Sequence, residues 1–410
     1  MPKLLQINTS LNCNSTGKIA EQIGLLARSQ GWDCYIAHGP RYVKKSSLNS
    51  YQVESNLEEK IHLVKSLLLD AHGLSSTMAT KKFVKWIDNI HPDIIHLHNI
   101  HGYYLNYQVL FEYLDSIGIP VVWTFHDCWP ITGHCCYFSL EGCSKWKIGC
   151  GNCPLRWKEY PKSLIIDRSA NNYRLKKYLF SSLKNLHIVS VSKWLDSIVG
   201  DSFLSQVPHK YIYNGIDIDI FKPTSSNIRT NYGLNDKKLL LGVASIWTTR
   251  KALSDYIKLS QLLSDEYQIV LIGPTELQSK TIPDNIIVIS RTNSQTELAQ
   301  WYSEADILLN LSYEETFGLT TVEGYACGTP SIVYNKTASP ELIAEDTGLV
   351  VEAGNWNELI EAVQEITLKG KGVYTTACRQ RAVDYFNKND RFQDYINLYN
   401  ELLDEKDITR

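Results

Sequence analysis

The stretch Tyr313–Pro330, YEETFGLTTVEGYACGTP, carries two carboxylates eight residues apart, Glu315 and Glu323, around Phe317, Gly318 and Leu319. It follows Ile307–Leu311, an apolar run of strand length. A helix starting near Gly318 places Glu315 ahead of its N-terminus and Glu323 further along it. A rise of ~1.5 Å per residue over eight residues gives ~12 Å, close to the span from sugar ring to ribose in a nucleotide sugar. The helix N-terminus between them offers free N–H groups and a positive dipole end to a diphosphate. Glu323 can then accept from ribose hydroxyls and Glu315 from a sugar. Taken alone, such a pair is a solvated helix face; its apolar neighbours and the Cys327-Gly328-Thr329-Pro330 turn argue otherwise. Thr249-Arg250-Lys251 follows a second apolar run, Leu239–Ala244, and two cations in a loop after a strand suit a diphosphate leaving group.

Three further loops follow strand-like runs. TSLNCNSTGK joins Leu4–Asn8 to a helix from Lys18, and Gly17 there would let backbone approach a phosphate or sugar. The motif lacks the earlier glycine of a P-loop, which excludes that form of nucleotide triphosphate hydrolysis. His98 and His101 lie in HLHNIHG after Asp93–His98, and His126 ends Pro120–Phe125. A lone histidine is usually structural; a strand's carboxyl end favours a functional one. Arg291, after Ile286–Ile289, is placed near a base pocket. Asp217-Ile218-Asp219 is a D-x-D, but it falls in an inter-domain segment, where a metal site is not expected.

Five of the ten cysteines fall between Cys135 and Cys153. Cys135-x7-Cys143-x6-Cys150-x2-Cys153, with glycines at the turns, suits a tetrahedral structural zinc and leaves Cys136 spare. A disulfide and unmetallated thiols are the alternatives. A catalytic metal is not expected there.

These loops need elements to hold them. Four apolar runs in the first half (Leu4–Asn8, Asp93–His98, Pro120–Phe125, His187–Val191) and six in the second alternate with amphipathic stretches. Such runs read as buried parallel strands, and their alternation with helices implies two doubly wound α/β domains. The expected division is residues 1–206, with a Cys-rich loop at 133–154, then 207–388, then a helix over 389–410 that packs back on the first domain. Lys plus Arg total 41 against 44 Asp plus Glu, which argues against a nucleic-acid binder. The charge is uneven: +6 up to Ser205 and −9 after it. Basic residues cluster between Arg156 and Lys184, either as a solvated face or as a surface for an anionic membrane. No run suits a membrane span and the start is no signal peptide, so a cytoplasmic location is expected, extending to the inner face of the cell membrane.

The chain resembles the family 4 retaining glycosyltransferases, whose GT-B fold is two facing Rossmann-like domains with a cleft between them. The family's E-x7-E motif appears as Glu315 to Glu323, its linker signature as Asn214-Gly215-Ile216-Asp217 before Phe221 and Pro223, and its histidine motif as TFHD at His126. HDCWPITGHC is similar to a capsule and exopolysaccharide branch. The resemblance implies that Lys251 stabilises the leaving diphosphate. The family's arginine lies several residues earlier, where this chain reads Ala244-Ser245-Ile246-Trp247, so Arg250 stands in for it. It implies that His126 touches the donor sugar or its diphosphate, that the Gly17 loop lies opposite the diphosphate, and that His98 and His101 lie toward the acceptor. It further implies metal-independent transfer, with retention, from a UDP-sugar or, as second choice, a GDP-sugar. The acceptor is expected to be a glycan, lipid-linked. A nucleotide-sugar epimerase of the same fold and a catalytically silent sugar-nucleotide-binding subunit are the rivals.

Overall fold

The computed structural model describes residues 1–408. It divides into two compact units: Met1–Ile212 together with the chain from Phe392 onward, and Tyr213–Arg391.

The first unit is built on seven parallel strands, β1 (Lys3–Asn8), β2 (Asp33–His38), β3 (Asn49–Gln52), β4 (Ile94–Leu97), β5 (Val121–Phe125), β6 (Leu186–Ser190) and β7 (His209–Tyr211). Their order is β3-β2-β1-β4-β5-β6-β7. Four match apolar runs. The other three lack such runs: β3 reads NSYQ and β7 HKY, both at sheet edges and largely exposed, and β2 mixes Asp33, Tyr35 and His38 with its buried residues. Edge strands are covered on fewer sides and need no continuous apolar sequence.

Helix α1 (Asn14–Ser29) follows β1. The expected boundary at Lys18 is corrected here: Gly17 is not in the loop but in the helix's first turn. Asn12 and Asn14 take positive φ and turn the chain early. A Cβ on Gly17 would stand 2.6 Å from Ser10 Oγ, so the glycine serves the close approach of helix to loop.

Ile19, Ile23 and Ala27 of α1 pack with Leu4, Ile94, Val122 and Val189 of the sheet. Phe392, Tyr395, Ile396 and Tyr399 of the helix Lys388–Ile408 join the same cluster. Tyr399 donates to His96 Nδ1 at 2.5 Å, which leaves Nε2–H to donate to Thr124 Oγ1 at 2.8 Å; Thr124 in turn donates to Tyr395 at 3.1 Å. The terminal helix is thus part of this unit's core.

The second unit has six parallel strands, β8 (Lys238–Val243), β9 (Tyr267–Ile272), β10 (Ile286–Ile289), β11 (Ile307–Asn310), β12 (Ser331–Tyr334) and β13 (Gly348–Val351). Their order is β10-β9-β8-β11-β12-β13. All six coincide with apolar runs: the inner strands are largely buried, while the edge strands β10 and β13 are partly exposed yet still apolar. Ile216 pairs with Asn387, and Asp217 forms an ion pair with Lys388 while accepting the N–H groups of Asp219 and Ile220. The D-x-D thus locks the entry of this unit to its exit.

Ile396 is fully buried against the first sheet. Ile396→Ala should cost about 2–5 kcal/mol, read as a lower urea midpoint at unchanged slope. A shift under about 0.5 kcal/mol would show the helix to be peripheral to that core.

Candidate active site

In each sheet the strand order reverses once, between β1 and β4 and between β8 and β11. Helices that follow such neighbours diverge to opposite faces, and the loops at their carboxyl ends frame a crevice. Lys251, Glu315 and His98 sit at those two places, while His126 follows β5, Arg291 follows β10 and the cysteines lie between β5 and β6.

In the second unit the loop after β8 forms a 3-10 turn, Thr249–Lys251, and the loop after β11 carries Glu315. The Lys251 ammonium pairs with Glu315 Oε1, and Ser312 Oγ donates to the same oxygen at 3.2 Å. The Glu315 N–H donates to Thr337 Oγ1 at 2.8 Å. Arg250 lies beside this pair in sequence, and its carbonyl accepts the N–H of Tyr313 at 2.8 Å, which ties the two loops together. The helix Leu319–Ala326 follows, with Gly318 at its N-cap. No side chain caps it and no acid stands in its first turn, so its positive end is not neutralised locally. Phe317 is buried against Tyr213 and Phe386. Glu323 is held by Tyr302, whose hydroxyl donates to Oε2 at 2.9 Å. Lys251, Glu315, Gly318, Leu319 and Glu323 are therefore on one end of one sheet. Arg291 is exposed after β10, separated from β11 by β9 and β8.

In the first unit His98 ends β4 and His126 ends β5. Gln6 on β1 donates its amide to Ala20 O at 2.7 Å, so its carbonyl oxygen faces His98 Nε2 at 3.0 Å. That assigns the proton of His98 to Nε2 and a lone pair to Nδ1. His126 Nε2, 3.1 Å from His98 Nδ1, is then the donor, and His126 Nδ1 carries the lone pair. Burial pushes His98 well below its usual range and His126 down to about 4, so both rings are neutral at physiological pH. His101 is not in that chain. Its Nε2 donates to Asp127 Oδ2 at 2.9 Å, and its Nδ1 lies 3.4 Å from the Tyr160 hydroxyl. Tyr160 also reaches His72 Nε2 at 3.0 Å. Asp127 Oδ1 accepts the N–H of Trp129 at 2.9 Å.

Sequence reasoning missed Gln6, Tyr160 and Tyr302. Gln6 breaks the apolar run of β1 and was legible as an interruption; Tyr160 and Tyr302 gave no signal. Lys176 belongs to the basic stretch but not to the surface. Its ammonium is buried over the Trp129 ring, donates to Trp129 O and Thr132 O, and is lowered by burial to about 7.

Cys135, Cys143, Cys150 and Cys153 line one small pocket with Phe138 and Trp146. The Cys135 thiol donates to Cys153, and Cys150 Sγ accepts the N–H of Gly133 at 3.2 Å. Among the described residues, the group of possible metal ligands with all its atoms within 4.8 Å of one another is instead His101, Asp127 and Cys136. Of these, His101 and Asp127 are already engaged with each other through the His101 Nε2–Asp127 Oδ2 bond.

Two parallel Rossmann-like sheets, each with its loops at the switch point, define a GT-B α/β protein. Solved structures agree: sucrose-phosphate synthase from Thermosynechococcus elongatus aligns with a TM-score of 0.72 at 16% identity over 99% of this chain and 100% of that one. HepE of Anabaena in complex with UDP aligns at 0.68 and 14% over 98% and 100%. A model described as Glycosyltransferase Family 4 matches residues 28–220, and one for glycosyl transferases group 1 matches 224–381. WcaC of Escherichia coli (strain K12), named for glycosyl transfer in colanic acid biosynthesis, is 23% identical over 322 residues, 76% of this chain and 77% of that protein. The chain belongs to the family 4 glycosyltransferases.

All eleven histidines lie in the first unit. Burial lowers His62 to about 3, His126 to about 4, and His72, His96 and His98 well below their usual range. Their unfolded forms titrate near 6.5, so the unfolded state binds more protons below that pH. Their contribution is complete above about 6.5 and is lost as pH falls toward 4. Glu54, raised to about 7 by burial, acts in the opposite sense by one proton. Between about pH 7 and pH 5 the first unit should lose thermal stability while the second changes little, read by hydrogen exchange resolved along the chain. Equal losses in both units would contradict the neutral histidine network.

Proposed function

We propose that this chain is a retaining glycosyltransferase. It takes a nucleoside-diphosphate sugar, UDP before GDP, and passes the sugar to a hydroxyl of a lipid-linked glycan in bacterial surface polysaccharide assembly. The observation that carries the reading is the Lys251–Glu315 pair beside the uncapped helix N-terminus at Leu319. The name of the colanic acid relative and the UDP bound to HepE support the pathway and the nucleotide.

Donor binding would part the ion pair. Lys251, with Arg250, would turn to the diphosphate, and Glu315 would accept a sugar hydroxyl. The N–H groups from Leu319 onward would take the remaining phosphate oxygens, and Glu323, oriented by Tyr302, the ribose. Arg291 is assigned to the base. Cleavage of the anomeric C–O bond moves an electron pair to the phosphate oxygen, and the cation and helix dipole stabilise that charge. The acceptor oxygen bonds the anomeric carbon on the face the phosphate leaves, and its proton passes to the departing phosphate oxygen. No metal is needed for this charge balance. In the first unit the family resemblance assigns His126 and the Gly17 turn to the donor side, and His98 and His101 to the acceptor side.

The test is a panel of nucleotide sugars with and without lipid-linked acceptor, with proton NMR of the new linkage. The expected product keeps the donor's anomeric configuration. Glu323→Ala should raise KM through lost hydrogen bonds of about 1.5–3 kcal/mol. Lys251→Ala should lower kcat more, because leaving-group charge grows in the transition state. An inverted product, or near-wild-type kinetics for both variants, overturns the reading. UDP release without acceptor would identify the epimerase instead.

We further propose that the first unit docks on an anionic bilayer. No helix among the described residues is long and apolar enough to cross a membrane. Helix α2 (Asn56–Leu69) is turned inside out: Glu59, His62 and Ser66 are buried, while Leu57, Ile61, Val64 and Leu68 are exposed. Leu164 and Ile166 donate backbone N–H groups to Leu67 and Leu68, which extends the exposed apolar face through Leu164, Ile165 and Ile166. Arg156 covers Trp157 and donates to Ile165 O, and Lys60, Lys65, Lys158 and Lys162 are exposed along the same segments. Each such cation contributes about 1 kcal/mol near anionic lipid. The protein should sediment with vesicles containing phosphatidylglycerol, less so at high salt, and Ile61→Ser with Ile165→Ser should release it. Indifference to anionic vesicles at low salt would make the surface a soluble one.

A further inference from the structure

We propose that Asp255 is a positioning residue for Lys251: it anchors the turn that carries the ammonium to the ends of β11 and β12. The inference rests on the reading above, in which Lys251 leaves Glu315 to hold the donor diphosphate. The helix Leu253–Leu262 begins just after the turn Thr249–Lys251, and Asp255 stands in its first turn. Asp255 is buried, and its Oδ2 accepts two hydroxyls, Tyr313 at 2.9 Å and Tyr334 at 2.7 Å. Ser254 Oγ donates to Oδ1 at 3.1 Å. Tyr313 lies in the loop after β11, two residues before Glu315, and Tyr334 ends β12. Because β8, β11 and β12 are neighbours in the sheet, one carboxylate joins the exits of three consecutive strands.

A buried carboxylate is a costly way to fill space, since an apolar side chain packs without desolvating a charge. What the carboxylate adds is direction. Burial and the carboxylate raise Tyr313 to about 12 and raise Tyr334 as well, so both keep the protons they donate. The backbone between Lys251 and Asp255 needs such an anchor. Ala252 takes φ 54° and ψ 39°, a left-handed conformation disfavoured for a residue with a Cβ. Such backbone persists only where the surroundings hold it. On one side Lys251 pairs with Glu315, and Arg250 O accepts the N–H of Tyr313 at 2.8 Å. On the other the N–H of Asp255 donates to Ala252 O at 2.8 Å, and the two tyrosines fix its side chain.

A donor would act on these ties differently. The Lys251–Glu315 pair is the one a diphosphate would part. The bonds of Asp255 involve no group assigned to the donor, so they persist when the pair opens. With the Arg250–Tyr313 backbone bond, they then keep the Lys251 turn in register with the Glu315 loop. Glu315 is fixed from the same two loops. Its N–H donates to Thr337 Oγ1 at 2.8 Å and its carbonyl accepts the N–H of Ala338 at 3.2 Å, both just beyond Tyr334.

The experiment is a double-mutant cycle between Asp255→Asn and Lys251→Ala in the full chain. It is read as kcat on the nucleotide sugar that turns over and as affinity for UDP and GDP by calorimetry, with the melting temperature of each variant. Asparagine keeps the shape and one acceptor oxygen and removes the charge. Asp255→Asn should lower kcat about tenfold in the wild-type background and less than about threefold in Lys251→Ala, because the residue it positions is gone. Tyr313→Phe leaves the carboxylate to Tyr334 and Ser254. It should repeat the pattern at smaller size, and it carries the comparison if Asp255→Asn melts early. Equal losses in both backgrounds, or wild-type kcat in Asp255→Asn, overturn the proposal and leave Lys251 its role. If Lys251→Ala alone changes neither kcat nor nucleotide affinity, the donor-site reading fails and this inference falls with it.

Discussion

Parallel strands impose one rule on this chain: every carboxyl end in a sheet points the same way, and every return must cross a face. Where the direction of crossing reverses, two neighbouring loops are left without a helix between them. In the second unit those loops follow β8 and β11, and they supply Lys251 and Glu315. In the first unit the reversal lies between β1 and β4, where Gln6 meets His98. The chemistry is placed by the order of strands before any side chain is chosen.

The two units meet the rule with opposite electrostatics. The second keeps charges: a cation, two carboxylates and a helix end. There Lys251 and Glu315 neutralise each other, and under the proposed function a ligand carrying phosphate and hydroxyl groups would part them. The first unit instead buries neutral rings. Desolvation strips the protons that would charge His96, His98 and His126, and each ring then needs one donor and one acceptor. Gln6, Thr124 and Tyr399 supply them. Because the Gln6 amide is fixed by Ala20 O, the tautomer of every ring along Gln6–His98–His126 follows from one backbone carbonyl.

What the sequence reveals follows from this difference. The six strands of the second sheet are continuous apolar runs and read directly. The carboxylates and cations of its site stand in loops, where charged residues between apolar runs are conspicuous. In the first unit β3 and β7 lie at edges and are written in polar residues. Gly17 reads as a loop residue, yet Asn12 and Asn14 start α1 early and place it inside. Lys176 reads as part of a basic face, yet a Trp129 ring and two carbonyls hold it inside. Tyr160 lies just beyond the cysteine cluster with nothing to mark it, and only the path of the chain between β5 and β6 brings it to His72 and His101. Long-range hydrogen bonds leave no local signature.

Helix α2 shows the limit most sharply. Its apolar residues recur with helical spacing, and periodicity alone would turn them toward the core. The structure turns them out because the polar face has more to satisfy inside. Glu59 meets Arg41 at 2.9 Å, and His62 donates to Ser76 Oγ at 2.7 Å while accepting the N–H of Gly73 at 3.1 Å. These bonds hold the Asp70–Ser76 turn, which presents His72 to Tyr160. Rotating the helix to bury Leu57, Ile61 and Val64 would strand a carboxylate, an imidazole and a backbone N–H, each costing about 1–3 kcal/mol when left unpaired. That is of the same size as the roughly 1.5–3 kcal/mol each that burying the three aliphatic side chains would return, so the rotation gains nothing. A polar interior around the site and an apolar exterior along α2 are therefore one consequence of the same helix orientation.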